Sequence, residues 1–382
     1  MKKLNPLNIL APAVALLAFK NIFRNRIRTL LTVLGAAVGI AIYVSLTNVS
    51  DNFKRQLIDM TDGSRVDLVI QSADAGTPLG SRISDELVQE IDSLDEVLKS
   101  VQVVLHRLRV PWNPFLMVIG FSSMELIPNN IRLLEGRYPE AGTNEILIGV
   151  EIARMGYQPG QNIILQRDTM YRVAGVYSSE VKLANGSVVM HLDSARKMAE
   201  ARDYVNMVFV QLRENVSLSD AQKIFEQNFR GLYAAPTGAL ADNILLTNVV
   251  ESSVKIIAML AIIGACVVVA NTLMMSVTER TREIGTLMAI GWSNLMILRL
   301  ILFESILISL AALILGCATA YSVLWLISTV NLEGVGWWIT PVPSTEIIVN
   351  AILISLALGI VGGALPAYTA TKLNPADALR YE

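Results

Sequence analysis

The residues best suited to a specific task sit together between positions 279 and 291. There Glu279, Arg280, Arg282 and Glu283 are followed by Ile284, Leu287, Met288 and Ile290, with Gly285 and Gly291 interspersed. Such a pattern serves binding rather than bond-making. On a helix, Ile284, Leu287 and Met288 share one face, and the two glycines permit close approach or a turn. A short amphipathic helix of this kind either docks into a groove on another protein or rests on lipid headgroups, and the pattern alone supports both. A further polar feature is Glu304, an acid set inside a long apolar run. An unpaired charge there costs about 3 kcal/mol or more, so a structural pairing with Arg280, Arg282 or Arg299 is expected, with proton coupling as the alternative.

Several other chemistries are excluded. The 382 residues contain no G-x-x-x-x-G-K-[ST] phosphate loop, no H-E-x-x-H and no G-x-S-x-G, so no catalytic residues are assigned. Cys266 and Cys317 both lie in apolar runs, which argues against a disulfide scaffold, and His106 and His191 stand far apart without cysteine neighbours, so no metal site is expected. A formal net charge of -2 offers no basic field for nucleic acid.

The elements that must position these residues are dominated by apolar length. The chain is 53% hydrophobic and 17% charged, with a mean hydropathy of +0.50, against about 25% charged for an ordinary soluble domain. Four runs, at 29–49, 256–277, 300–327 and 347–367, are long enough to cross a ~30 Å hydrocarbon core. Lys20, Arg24, Arg26 and Arg28 precede the first, and no small-residue cleavage pattern follows it, so it reads as a retained anchor rather than a signal peptide. Residues 1–28 form a cytoplasmic or interfacial segment, with 7–23 lying along the membrane and interrupted by Pro12. Arg280, Arg282 and Arg299 mark the 278–299 loop, and Lys372 and Arg380 mark the 368–382 tail. Residues 331–346, within the external loop 328–346, have no Lys or Arg. The positive-inside rule therefore puts both termini in the cytoplasm and residues 50–255 outside, with Trp325, Trp337 and Trp338 at the outer interface. Gly35 and Gly39, like Gly359 and Gly363, are spaced for close helix packing, either within the chain or at a dimer seam.

The external segment mixes two periodicities. Short β-branched runs at 66–71, 101–110, 115–121, 145–150, 162–166, 171–177, 187–192 and 205–212 predict strands. Helical spacing at 84–94, 193–202 and 217–229 predicts helices opening on Ser84, Asp193 and Ser217 as N-caps. The order suggests an α+β extracytoplasmic domain, a ferredoxin-like part with a β-rich insertion at 111–190. Residues 48–65 and 239–255 carry helical spacing too, so the first two spans are expected to continue outward as stalks. The fold class is thus an α-helical membrane protein with four transmembrane helices plus one α+β domain.

The run Glu279-Arg-Thr-Arg-Glu-Ile-Gly, then Ala289-Ile-Gly and Glu304 in the third span, resembles the permeases of the MacB/FtsX class of ABC transporters. So do the tail Leu365-Pro-Ala-Tyr-Thr-Ala-Thr-Lys-Leu-Asn-Pro-Ala-Asp-Ala-Leu-Arg-Tyr-Glu, the basic stretch entering the first span, Leu134-Glu-Gly-Arg-Tyr and Arg172-Val-Ala-Gly-Val-Tyr. The resemblance implies a homodimer bound to two copies of a separate ABC ATPase that carries the ATP and magnesium, no cofactor being bound by this chain. It makes the loop from Glu279 to about residue 295 a coupling helix, and it implies mechanotransmission in the bacterial inner membrane. The implied task is efflux or extraction of a periplasmic or membrane amphiphile, with a periplasmic adaptor and an outer-membrane channel as further partners. The alternatives are a lipoprotein-releasing permease of the LolC/LolE sort and an FtsX-like, non-transporting regulator of a cell-wall hydrolase.

Overall fold

The computed structural model describes residues 17, 18, 21, 24, 26–61, 66–126, 131–166, 169–237, 245–330, 338–374 and 378. Most of the interfacial segment expected over 7–23 lies outside them, as do Trp337 and tail residues 375–377 and 379–382. The chain forms two compact units, one of Met1–Ser50, Ser252–Leu326 and Thr340–Glu382, the other of Asp51–Glu251 and Ile327–Ile339.

In chain order the elements are α1 (Arg26–Thr61), β1 (Leu68–Ser72), β2 (Ile83–Ser84), α2 (Asp85–Asp92), β3 (Val97–Val110), β4 (Asn113–Phe121), β5 (Ile131–Gly136) and β6 (Glu145–Gly149). There follow α3 (Val150–Ala153), β7 (Asn162–Gln166), β8 (Thr169–Ser179), β9 (Val188–His191), α4 (Leu192–Ala199), β10 (Tyr204–Val205), β11 (Met207–Leu212), α5 (Leu218–Asn228) and β12 (Leu232–Pro236). The last four are α6 (Leu245–Glu279), α7 (Thr281–Ala289), α8 (Asn294–Thr329) and α9 (Thr345–Thr371).

The first unit is built on α1, α6, α8 and α9, each long and apolar enough to cross a membrane. All four helices extend past the runs read from hydropathy. With 36 residues, α1 is ~54 Å long at ~1.5 Å per residue. Water drives nothing together inside a bilayer, so small residues and van der Waals contact hold the helices. A Cβ on Gly35 would lie 2.9 Å from Val268 Cγ1, and one on Gly39 would lie 2.8 Å from both the Ala261 carbonyl oxygen and Ala265 Cβ. The space beside these two glycines is thus filled by the chain's own α6. Val33, Ala36, Ile40, Val44, Val269, Ile308, Ala312, Ala351 and Leu358 complete this core.

In the second unit, ten strands make one sheet in the order β12-β1-β11-β3-β4-β9-β6-β8-β5, with β7 added on β8. Its first four strands, with α2 and α5 as the crossovers, have the ferredoxin-like arrangement. The expected insertion does not stand apart. It extends the same sheet, because β3 turns directly into β4 and the two pair from Val103–Phe121 to Val110–Asn113. Strand alternation sorts the side chains by face. Leu68, Ile70, Val208 and Val210 share a cluster with Val88 and Ile91 of α2, Ala195 and Met198 of α4, and Phe225 of α5. Val69, Val101, Val103, Tyr177 and Phe209 form the cluster on the opposite face.

Several local expectations are corrected. Strands β2, β5 and β12 were not anticipated, because two residues, a partly exposed run and an Ala-Ala-Pro stretch give little periodic signal. The 205–212 run divides into β10 and β11, because the Asn206 side chain turns inward to satisfy Leu105 N–H and the carbonyls of Leu79 and Ser81. Ser84 and Ser217 cap α2 and α5 as expected, accepting from the N–H groups of Leu87 and Asp220. The cap of α4 is His191 rather than Asp193, because the helix begins earlier, at Leu192.

The turn at Lys182–Gly186 is fastened by buried polar groups. The Tyr177 hydroxyl lies 2.6 Å from the Ala184 carbonyl, and Asn185 both accepts from Ser179 N–H and donates to Ser179 C=O. Gln56, in the part of α1 that belongs to this unit, accepts from Leu183 N–H at 2.8 Å and donates to Trp338 C=O at 3.0 Å. Gln56→Leu strands both backbone groups, each at a cost of about 1–3 kcal/mol. Amide exchange at 182–186 should then accelerate while that of β1 and β11 stays slow, and an unchanged rate in the turn would refute the Gln56 tie.

Candidate functional site

The 279–291 segment forms α7, a nine-residue helix between α6 and α8 in the first unit. Residue Arg280 interrupts the helical run, with φ -106° and ψ 18°, and so separates α7 from α6. At the other end, Gly291 takes φ +107°. Its N–H donates to Met288 C=O and that of Trp292 to Leu287 C=O, the paired hydrogen bonds of a Schellman ending that favours glycine at this position. The sharp stop turns the chain into α8 within a few residues.

Three of the four charges, Glu279, Arg280 and Glu283, are held in a network. Arg28 pairs with Glu279 through both guanidinium nitrogens, at 2.5 and 2.6 Å, and Arg24 pairs with Glu283 at 2.5 Å. Arg280 bridges inward, reaching Glu283 on α7 and Glu304 on α8, each at 3.3 Å. Three arginines thus meet three glutamates. Burial alone would push the Glu283 carboxyl up, but hydrogen bonds and charge from Arg24 and Arg280 outweigh it and hold the carboxyl below its ordinary range. Its pairing therefore persists as pH falls through the usual carboxylate range and is lost only below it. Beside the network, Asn21, Thr29, Thr32, Thr272 and Ser276 line a small polar cleft of ≈ 20 Å³, about the room one water occupies.

The apolar residues are placed differently from the docking face expected of them. Ile284 is buried, and Leu287 and Met288 are half-buried, in a cluster with Val277, Ile297, Ile301, Ala367 and Ala370. This face is core of the unit, because α6, α8 and α9 converge on it. Gly285 is buried against the tail: a Cβ there would lie 2.5 Å from the Cβ of Ala378, itself 2% exposed. What α7 leaves outside is Arg282, Glu283, Thr286, Ala289 and Ile290, the last 74% exposed, with Leu295 at 53% just beyond the turn. Of the three candidate partners of Glu304, the structure selects Arg280, while Arg282 and Arg299 are exposed. Arg24 and Arg28, read only as flanking positive charge, are the partners sequence reasoning missed, as was Ala378. Their one signal was an excess of opposite charge at 279 and 283, which carries no information about distance across 250 residues.

Two outcomes are expected. Arg280→Leu leaves Glu304 buried without its partner and lowers stability by about 3–5 kcal/mol, whereas the Arg280→Leu/Glu304→Leu double variant recovers most of it, as read by thermal unfolding in detergent. Gly285→Ala forces α7 off the tail, at a cost of about 1–3 kcal/mol, and Ala378→Gly in the same chain restores the melting temperature.

Comparison with known proteins places the chain in a family. A model described as MacB-like periplasmic core domain matches residues 29–228, and one described as FtsX-like permease C-terminal matches residues 255–375. An ABC transporter permease of Methanocaldococcus jannaschii is 24% identical, the match covering 96% of this chain and 97% of that protein. The macrolide export ATP-binding/permease protein MacB of a Shewanella strain is 25% identical over 97% of this chain, which spans 60% of that protein's length. The crystal structure of the periplasmic region of MacB from Actinobacillus actinomycetemcomitans matches 49% of this chain and 94% of its own, at 10% identity and a TM-score of 0.38. The two family models together take in most of the sequence, the first alone more than half of it, so the chain belongs to the MacB/FtsX class of ABC transporter permeases.

Proposed function

We propose that this chain is the permease subunit of an ABC transporter in the bacterial cytoplasmic membrane, acting as a homodimer with two copies of a separate ABC ATPase. The observation that carries this reading is α7. It is a short helix whose inner face is core, whose Glu283 is paired with Arg24 and Arg280, whose preceding residue Arg280 reaches Glu304 on α8, and whose outer face offers Ile290 at the turn. A lever needs these properties, because a helix resting loosely on headgroups would absorb a push rather than pass it on. The 382 residues carry no phosphate loop, so ATP and magnesium are assigned to an ATPase outside them.

Orientation follows from the basic residues around α7, which put this end of the unit and both termini in the cytoplasm. ATP-driven motion of α7 then passes along α1 and α6 to the α+β domain outside. A periplasmic or membrane-embedded amphiphile is the cargo class, by analogy with the macrolide exporter MacB, with an adaptor and an outer-membrane channel as further partners.

The test is Ile290→Asp, assayed with the ATPase that co-purifies from native membranes. Permease-stimulated ATP hydrolysis should fall at least tenfold while membrane insertion and melting temperature hold, whereas Ile284→Asp should fail to fold. Full stimulation by the Ile290 variant would overturn the coupling role of α7.

A further inference from the structure

Of the four apolar helices, α6 is the least covered by its own chain. Its span is 22% buried, against 39%, 44% and 39% for those of α1, α8 and α9. The uncovered face has a sequence unlike a plain lipid-facing surface. Ile257, Leu260, Val267 and Met275 are 49%, 60%, 61% and 53% exposed, and Gly264, Asn271 and Thr278 are exposed in line with them. Positions 257, 264, 271 and 278 repeat every seven residues, with Leu260 and Val267 at the intermediate positions of the same stripe.

Asn271 is the informative member. Residues 256–278 carry no charge, and Asn271 lies ~12 Å along the helix from Glu279 at ~1.5 Å per residue, within the hydrocarbon depth. The hydroxyls nearby are satisfied by their own helix: Thr272 donates to Val268 C=O and Thr278 to Met275 C=O. Among the described residues, the Asn271 side-chain amide has no hydrogen-bond partner. An amide facing lipid in that state is costly. What satisfies it must bring both a donor and an acceptor to the same depth.

We infer that this face of α6 packs against the same face of a second copy of the chain, with the two Asn271 amides hydrogen-bonded across the two-fold axis. An amide is its own complement, and a two-fold axis delivers it at its own depth without a further partner. Gly264, with nothing within 4 Å of a built Cβ, lets the two backbones approach. The seven-residue period sets a shallow left-handed crossing. This surface rests on the homodimer reading but is separable from it.

The experiment uses the full chain in native membranes with Cys266 and Cys317 changed to Ala. Single cysteines are introduced as Gly264→Cys and Asn271→Cys, and on other exposed faces as Leu34→Cys and Leu353→Cys, followed by mild oxidation. The expected result is a disulfide-linked dimer at 264 and 271 only. Crosslinking confined to 34 or 353 overturns the α6 interface and leaves the dimer standing. No crosslink at any position, with a monomeric mass in lipid nanodiscs, removes both. An adduct of 264 or 271 with a different protein assigns the face to that protein and overturns the self-association. With the native cysteines in place, Asn271→Leu should weaken the dimer about two- to threefold and Asn271→Gln should retain it. Equal dimer fractions for Asn271→Leu and the parent would overturn the role of the amide.

Discussion

The Arg280–Glu304 contact is the constraint on which the membrane unit's charged end depends. Glu304 is buried on α8, at the wall of the small cleft it shares with Arg280, where a carboxylate without a counter-ion would be expensive. Arg280 is its partner because it lies where α6 breaks, from which its side chain reaches both Glu304 of α8 and Glu283 of α7. The remaining pairs follow from this placement. Glu279 is met by Arg28, and Glu283, shared with Arg280, is met also by Arg24.

Burial of α7 is the second consequence. Helix breaks at Arg280 and Gly291 leave a segment too short to be stable alone, and its order comes from packing Ile284 and its neighbours among α6, α8 and α9. Ala378 closes over Gly285 from the tail. A segment that reads as an amphipathic docking helix therefore uses its apolar face internally, and the exposed Ile290 and Leu295 are what remains for a partner. In the α+β unit, buried polar groups have a comparable role. Tyr177, Asn185 and Gln56 leave the 182–186 turn few alternatives, because each of its bonds would otherwise be an unsatisfied group away from water.

Much of this was legible in the sequence, for reasons that are local. Apolar length identified four membrane helices, since the bilayer demands about twenty residues of one kind in succession. Short β-branched runs located β1, β3, β4, β6, β7, β8, β9 and β11, and serine caps located α2 and α5. The short or irregular pieces β2, β5 and β12 were missed, because strand pairing rather than composition holds them in place. The ferredoxin-like order was legible too, but the merging of the insertion into one ten-stranded sheet depended on the β3–β4 pairing.

What the sequence determined by itself is whatever short-range chemistry decides: how many helices cross the membrane, which segment is α+β, where α7 lies, and which family the chain resembles. Tertiary structure alone decided which face of α7 is core, that Arg280 rather than Arg282 or Arg299 answers Glu304, that Gly35 and Gly39 serve α6 of the same chain, and that Asn271 is left facing outward. The reason is distance. Helical periodicity assigns side chains to faces, but the identity of the opposing surface is set by residues as distant as 259 positions, as for Arg24 and Glu283, and nothing in a local pattern records which of them arrives.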